Sequence, residues 1–163
     1  MIQPAQLLTN VIRPVLKDIG LWSPSAERLI IGTACVESNC GYDLVQHAGG
    51  PALGIYQMEP GMTGWQDCYV NFLNFRPSLR QKVDGWRINK LSDIDGATEM
   101  VGNLYYATAM ARIKYVREPA FIPDTLPNQA AYWKRVYNTP LGAGTAEKYI
   151  TAWRRYIDDK IFT

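Results

Sequence analysis

The sequence predicts a mainly α-helical single domain, and three observations carry that expectation. Apolar residues recur at three- and four-residue spacing in several separate stretches. Helix start and stop residues bracket those stretches, as Ser23-Pro24 and Thr145 do at two of the starts. The only long irregular segment, Gly41 to Gly64, is punctuated by Gly49-Gly50-Pro51, Gly54, Pro60-Gly61 and Gly64. A chain of 163 residues with 47% apolar and 20% charged residues suits one core.

Residues 3–19 carry Leu7, Leu8, Val11, Ile12, Val15, Leu16 and Ile19 on one face, with Pro14 inside the repeat. They read as a kinked helix or two short ones, an N-terminal extension packed on the domain. Ser23 as N-cap and Pro24 at the first helical position open a second helix, which Asn39 to Gly41 should end. Leu29, Ile30, Thr33 and Glu37 share its packed side, and Gly32 permits close approach of another helix or a substrate. Within the glycine-rich segment, Ala52 to Met58 suits a short strand or one helical turn. Such irregular segments in small domains are usually functional, so a cleft is expected there.

Trp65 to Phe72 and Ser78 to Trp86 read as helices broken at Arg76-Pro77. Their aromatics and the later Leu91 are expected in the core, with Trp86 left open as core or ligand platform. Asp95-Gly96 opens what reads as a buried central helix of about five turns, ended by Pro119. A proline-containing loop, 118–129, precedes a short helix from Ala130 to Tyr137. After a turn at 138–144, Thr145 caps a last helix from Ala146 to about Ile157.

The net charge of +2, with Lys and Arg dispersed, gives no nucleic-acid footprint. No run is long and apolar enough to span a bilayer, and the start lacks the charged-then-apolar arrangement of a signal peptide. A single His argues against a Cys/His metal site on composition. Of the three cysteines at least one stays free, and a Cys40–Cys68 bridge is one possible pairing.

For chemistry, Glu37 stands out as a carboxylate at the end of an apolar helix facing a polar loop, a setting that raises a pKa and suits a general acid. Glycosidic cleavage needs such a group and often a second carboxylate, for which Glu59 and Asp43 are at hand. Glu59 before Pro60 also reads as a solvated turn residue. There is no Gly-x-Ser-x-Gly elbow, no phosphate loop and no His-Glu-x-x-His motif. A cysteine nucleophile at Cys35 or Cys40 with His47 is a weaker reading.

Glu37-Ser38 followed by Ala52-Leu53-Gly54-Ile55-Tyr56-Gln57 resembles the Glu-Ser … Gly-Ala-x-Gly-Leu-Met-Gln signature of the lytic transglycosylase and goose-type lysozyme family, bacterial and phage. Arg135-Val136-Tyr137-Asn138-Thr139 is similar to that family's Ala-Tyr-Asn-Ala-Gly motif, and Glu147-Lys148-Tyr149-Ile150 to its terminal helix. The resemblance spans about 26–156. It departs where Pro51-Ala52 replaces Gly-Ala, where Ala48 replaces a serine, and where Glu59 takes the place of the aspartate of goose-type lysozymes.

The resemblance implies a lysozyme-like fold with a central buried helix and an active-site cleft. It implies cleavage of peptidoglycan between N-acetylmuramic acid and N-acetylglucosamine, without metal or organic cofactor. Glu37 would be the general acid and base, Tyr137 its positioning partner and Glu59 a second carboxylate. Gln57, Tyr56, Asn138, Ser38 and Gly54 would hold substrate. The expected setting is a phage one, an endolysin released by a holin or a virion component that meets other virion proteins. A muramidase using Glu59 or Asp43, and a non-catalytic structural protein on the same fold, are the alternatives.

Overall fold

The computed structural model describes residues 1–88 and 95–163. Eight α-helices are described, α1 (Pro4–Leu7), α2 (Arg13–Asp18), α3 (Pro24–Ser38), α4 (Pro77–Asp84), α5 (Asp95–Glu99), α6 (Leu104–Val116), α7 (Leu126–Trp133) and α8 (Ala146–Tyr156). Among the described residues no β-sheet forms; extended pairing is limited to the isolated antiparallel bridges Val45–Leu53 and Leu53–Met58. The protein is therefore mainly α-helical. The expectation for Leu91 lies outside the described residues.

Pro14 does not split the first helix. A π-helical turn, Leu8–Ile12, joins α1 to α2, and the Arg13 N–H reaches back to Leu8 O. Proline lacks an N–H and its ring crowds the carbonyl four residues earlier, so a locally widened turn lets the rod continue past it. Leu7, Leu8, Ile12, Val15 and Leu16 are buried in the same cluster as Leu29, Ile30 and Ile31 of α3. Each such side chain contributes roughly 1.5–3 kcal/mol of burial. Arg13 also grips Glu27 of α3 with two hydrogen bonds, 2.8 and 2.9 Å.

Helix α3 begins and ends where its sequence says it should. Ser23 is extended and its Oγ accepts the Ala26 N–H at 3.0 Å; Asn39 closes the helix in the left-handed region at φ 51°. Cys40 follows, also left-handed at φ 55°, and this reversal brings its N–H to Ala34 O. It also joins Cys40 to Cys35 in a disulfide, leaving Cys68 free and buried. The Cys40–Cys68 pairing is thereby corrected: the tight turn, and not a long crossing, supplies the partner. Gly32 makes room for α8, since a Cβ there would lie 2.0 Å from the Tyr149 hydroxyl.

The long helix expected to open at Asp95-Gly96 and run to Pro119 is interrupted. It consists of α5, a turn at 100–102, and α6, which Asn103 opens by accepting the Tyr106 N–H on its side chain at 3.0 Å. Gly102 followed by a competent N-cap is a restart signal inside an apolar stripe. Tyr106, Thr108, Ala109, Met110, Ile113 and Tyr115 are nevertheless buried, so α6 runs through the core. Trp86, left open by the sequence, stacks on Tyr105 at 5.0 Å and donates to Asp18 at 2.9 Å, a packing role. Helix α7 starts four residues earlier than expected, because Pro127 sits in its first turn, where proline is tolerated. A π-helical turn, Lys134–Asn138, continues it. Thr145 caps α8, accepting the Lys148 N–H at 3.3 Å.

Candidate active site

A cleft of about 620 Å³ opens where the C-terminal end of α3, the glycine-rich segment, the end of α6 and the 138–144 turn meet. Glu37, Gln57, Glu59, Tyr137 and Asn138 all line it, and so does Asp43. Residues from four separate parts of the sequence are thus brought to one wall. Tyr56, Ser38 and Gly54 are placed behind that wall instead, fully buried. Tyr56 turns its hydroxyl to Thr108 at 2.9 Å, and Ser38 fixes the chain turn by accepting the Gly41 N–H at 2.8 Å and bonding Ile55 O at 2.6 Å. They shape the cleft through the backbone they hold.

Two glutamates of α3 show what a partner does to a buried carboxyl. Glu27 is pushed up by burial, but hydrogen bonds from Arg13 and Trp22 outweigh that and hold it below the usual range. Glu37 is half-buried and receives a single hydrogen bond, from Trp133 Nε1 at 2.9 Å. Burial dominates there and carries its pKa up to about 7, against the lowering pull of Trp133 and of the Lys114 charge. A carboxyl half-protonated at neutral pH can both donate and accept a proton, the requirement for general acid–base work. Replacing Trp133 with phenylalanine should remove the bond that favours the ionised form and move the Glu37 titration to still higher pH, checked by NMR titration of the carboxyl.

Tyr137 lines the cleft together with Glu37, while its hydroxyl donates to Tyr56 O at 2.9 Å and the hydrogen bond to the carboxyl comes from Trp133. Tyr137 is a buried strut that ties the α7 extension to the segment carrying Gln57. Gln57 itself adopts φ 46° and donates to Gly54 O at 2.9 Å. Asn138 Oδ1 accepts from Lys134 at 2.9 Å and from the Gly144 N–H at 3.2 Å, shaping the 138–144 turn. Glu59 is exposed and accepts from Thr63 at 2.5 Å.

Family models, curated proteins and solved structures give no match to this chain.

The cysteine-nucleophile reading is corrected by the disulfide, which leaves Cys35 and Cys40 without thiols. His47 instead pairs with Asp43 at 2.7 Å on the cleft margin. Among the described residues no group of three or more His, Cys, Asp or Glu could hold a metal ion, and no helix is long and apolar enough to cross a membrane. Sequence reasoning missed Trp133 and Lys114. The signal for Trp133 was its four-residue spacing from Tyr137, which puts both on one side of a helix; for Lys114 it was a cation in a helix otherwise built for burial.

Proposed function

We propose that this chain cleaves the glycan strands of peptidoglycan between N-acetylmuramic acid and N-acetylglucosamine, as a lytic transglycosylase on a lysozyme-like fold. The observation that carries the reading is Glu37, a half-buried carboxyl lining the cleft with its pKa near neutrality. The order of Glu37-Ser38, the Gly54 to Gln57 run and Tyr137-Asn138 supports the family assignment. In this reading Glu37 gives its proton to the glycosidic oxygen as the bond to the muramyl anomeric carbon breaks. The resulting carboxylate takes the proton of a muramyl hydroxyl as that oxygen closes on the same carbon. An anhydro sugar results, no water is consumed and the acid is regenerated.

Glu59 favours a second reading, since it lines the same cleft. There it activates water, and the product keeps a reducing muramyl end. The partners follow from the chemistry: wall glycan in either case, and other virion proteins if the enzyme opens the wall during phage entry. Digestion of purified peptidoglycan, with soluble muropeptides read by mass, separates the readings. Anhydro ends from the native protein and none from Glu37→Gln are expected. Ends heavier by one water make it a muramidase, and binding without any cut makes it a structural protein.

A further inference from the structure

Lys114 is a charged cleft residue that the proposed reaction leaves without a task. It projects from the last turn of α6 into the cleft beside Glu37, half-buried, with Nζ 4.1 Å above the centre of the Tyr137 ring. The π face stabilises the charge but supplies no hydrogen-bond acceptor. Glu37 and Glu59 act on the ammonium through space, as do Cys68 and Arg117. Among the described residues, however, the Lys114 ammonium forms no hydrogen bond or ion pair. The contrast with Lys134 is instructive. That ammonium, bonded into the 138–144 turn, spends its donors on Asn138 Oδ1, Thr139 O and Gly142 O, at 2.9, 2.7 and 2.8 Å.

A partly desolvated ammonium with three free donors is costly unless something entering the cleft accepts from it. Neutral sugar hydroxyls can do so weakly; an anionic oxygen offsets the desolvation and neutralises the charge at once. We infer that Lys114 is a substrate-carboxylate anchor, so that the cleft selects glycans bearing an acidic substituent over uncharged ones. The inference rests on the glycan-cleaving reading and deepens it. Two sources of that carboxylate exist in wall glycan, the lactyl group of a muramyl residue lacking its peptide and the acidic residues of the peptide stem. Both present the same chemistry to Nζ.

The test is binding in a Glu37→Gln background, where nothing is cut, by calorimetry at low salt with three tetrasaccharides. One is chitotetraose, without carboxylate; one alternates N-acetylglucosamine and muramic acid with free lactyl groups; the third carries peptide stems on the same sugars. Adding Lys114→Met should weaken at least one of the acidic ligands about tenfold or more and leave chitotetraose within about twofold, as the loss of one charge-assisted hydrogen bond dictates. Which acidic ligand responds names the source. Lys114→Arg, which keeps the charge, should retain the preference and guards against a variant that merely fails to fold. An equal loss on all three ligands would make Lys114 a prop for the cleft and overturn the inference; so would no loss on any. If no tetrasaccharide binds the Glu37→Gln protein at all, the glycan reading itself falls and takes the anchor with it.

Discussion

Replacing Glu37 with glutamine should abolish wall cleavage and at the same time stabilise the protein at alkaline pH. Loss of a general acid costs about 10²–10⁴-fold in rate. The stability effect follows from the carboxyl's displacement from an ordinary 4.5 to about 7. Because the folded state holds this proton more tightly than the unfolded chain does, its contribution is fully present below pH 4.5 and is lost as pH rises to about 7. Above that the folded protein carries a poorly solvated carboxylate at a cost of up to about 3 kcal/mol, from about 1.4 kcal/mol for each pH unit of displacement. Glutamine keeps an oxygen for the Trp133 N–H and never ionises. Thermal melts of the two proteins should therefore diverge at pH 8, with the variant higher by several degrees, and converge at pH 4. Equal melting temperatures at both pH values would mean that Glu37 titrates as an ordinary surface acid, and the case for it as a neutral-pH proton donor would go with that.

Gly54→Ala should be strongly destabilising, because it combines a left-handed backbone with a backbone clash. Gly54 has φ +73°, and a Cβ there would lie 2.2 Å from Met100 O and 2.9 Å from its carbon, both backbone atoms in the turn between α5 and α6. The left-handed backbone costs an alanine about 1 kcal/mol, and forcing two backbones apart adds roughly 1–3 kcal/mol more. Gly49 provides the control, having the same φ of +73° with nothing within 4 Å of a Cβ. In urea titrations Gly49→Ala should lose only the conformational part, about 1 kcal/mol, whereas Gly54→Ala should lose roughly 2–4 kcal/mol. Matching losses would show that the approach to Met100 relaxes freely. The prediction also fixes the meaning of Gly54 in the signature run: it is where the cleft wall leans on the restart of α6.

What was legible in the sequence is what is decided locally. Ser23-Pro24 and Thr145 announce helix starts because a cap is a contact over two or three residues. Glu37 was legible for a similar reason, as a carboxylate in register with Leu29, Ile30 and Thr33. The interruption before α6 was not, since Gly102 reads equally well as a small residue for close packing and Asn103 as an ordinary polar position. The Cys35–Cys40 bridge escaped because it depends on two successive left-handed residues, neither of them glycine. Trp133 escaped because its partner is 96 positions away. Tyr137 was legible as a residue of the site and misread in its bonding, for the acceptor it finds is a main-chain oxygen that no sequence pattern marks.

Helix termini ordinarily fray, and a side chain in the last turn shares that motion. Glu37 stands one residue from the end of α3, which would be a poor mount for the proposed proton donor, a role that depends on position. Here the last turn is sealed: the Cys35–Cys40 bond closes a covalent ring around Glu37, and the Asn39 and Cys40 N–H groups bond back to Cys35 O and Ala34 O. From outside the ring Ile2 N–H donates to Cys40 O and Tyr156 donates to Asn39 Oδ1. Segments from opposite parts of the sequence, Ile2 and Tyr156 of α8, thus hydrogen-bond to the helix terminus that bears Glu37, so fraying of that turn breaks tertiary as well as local bonds.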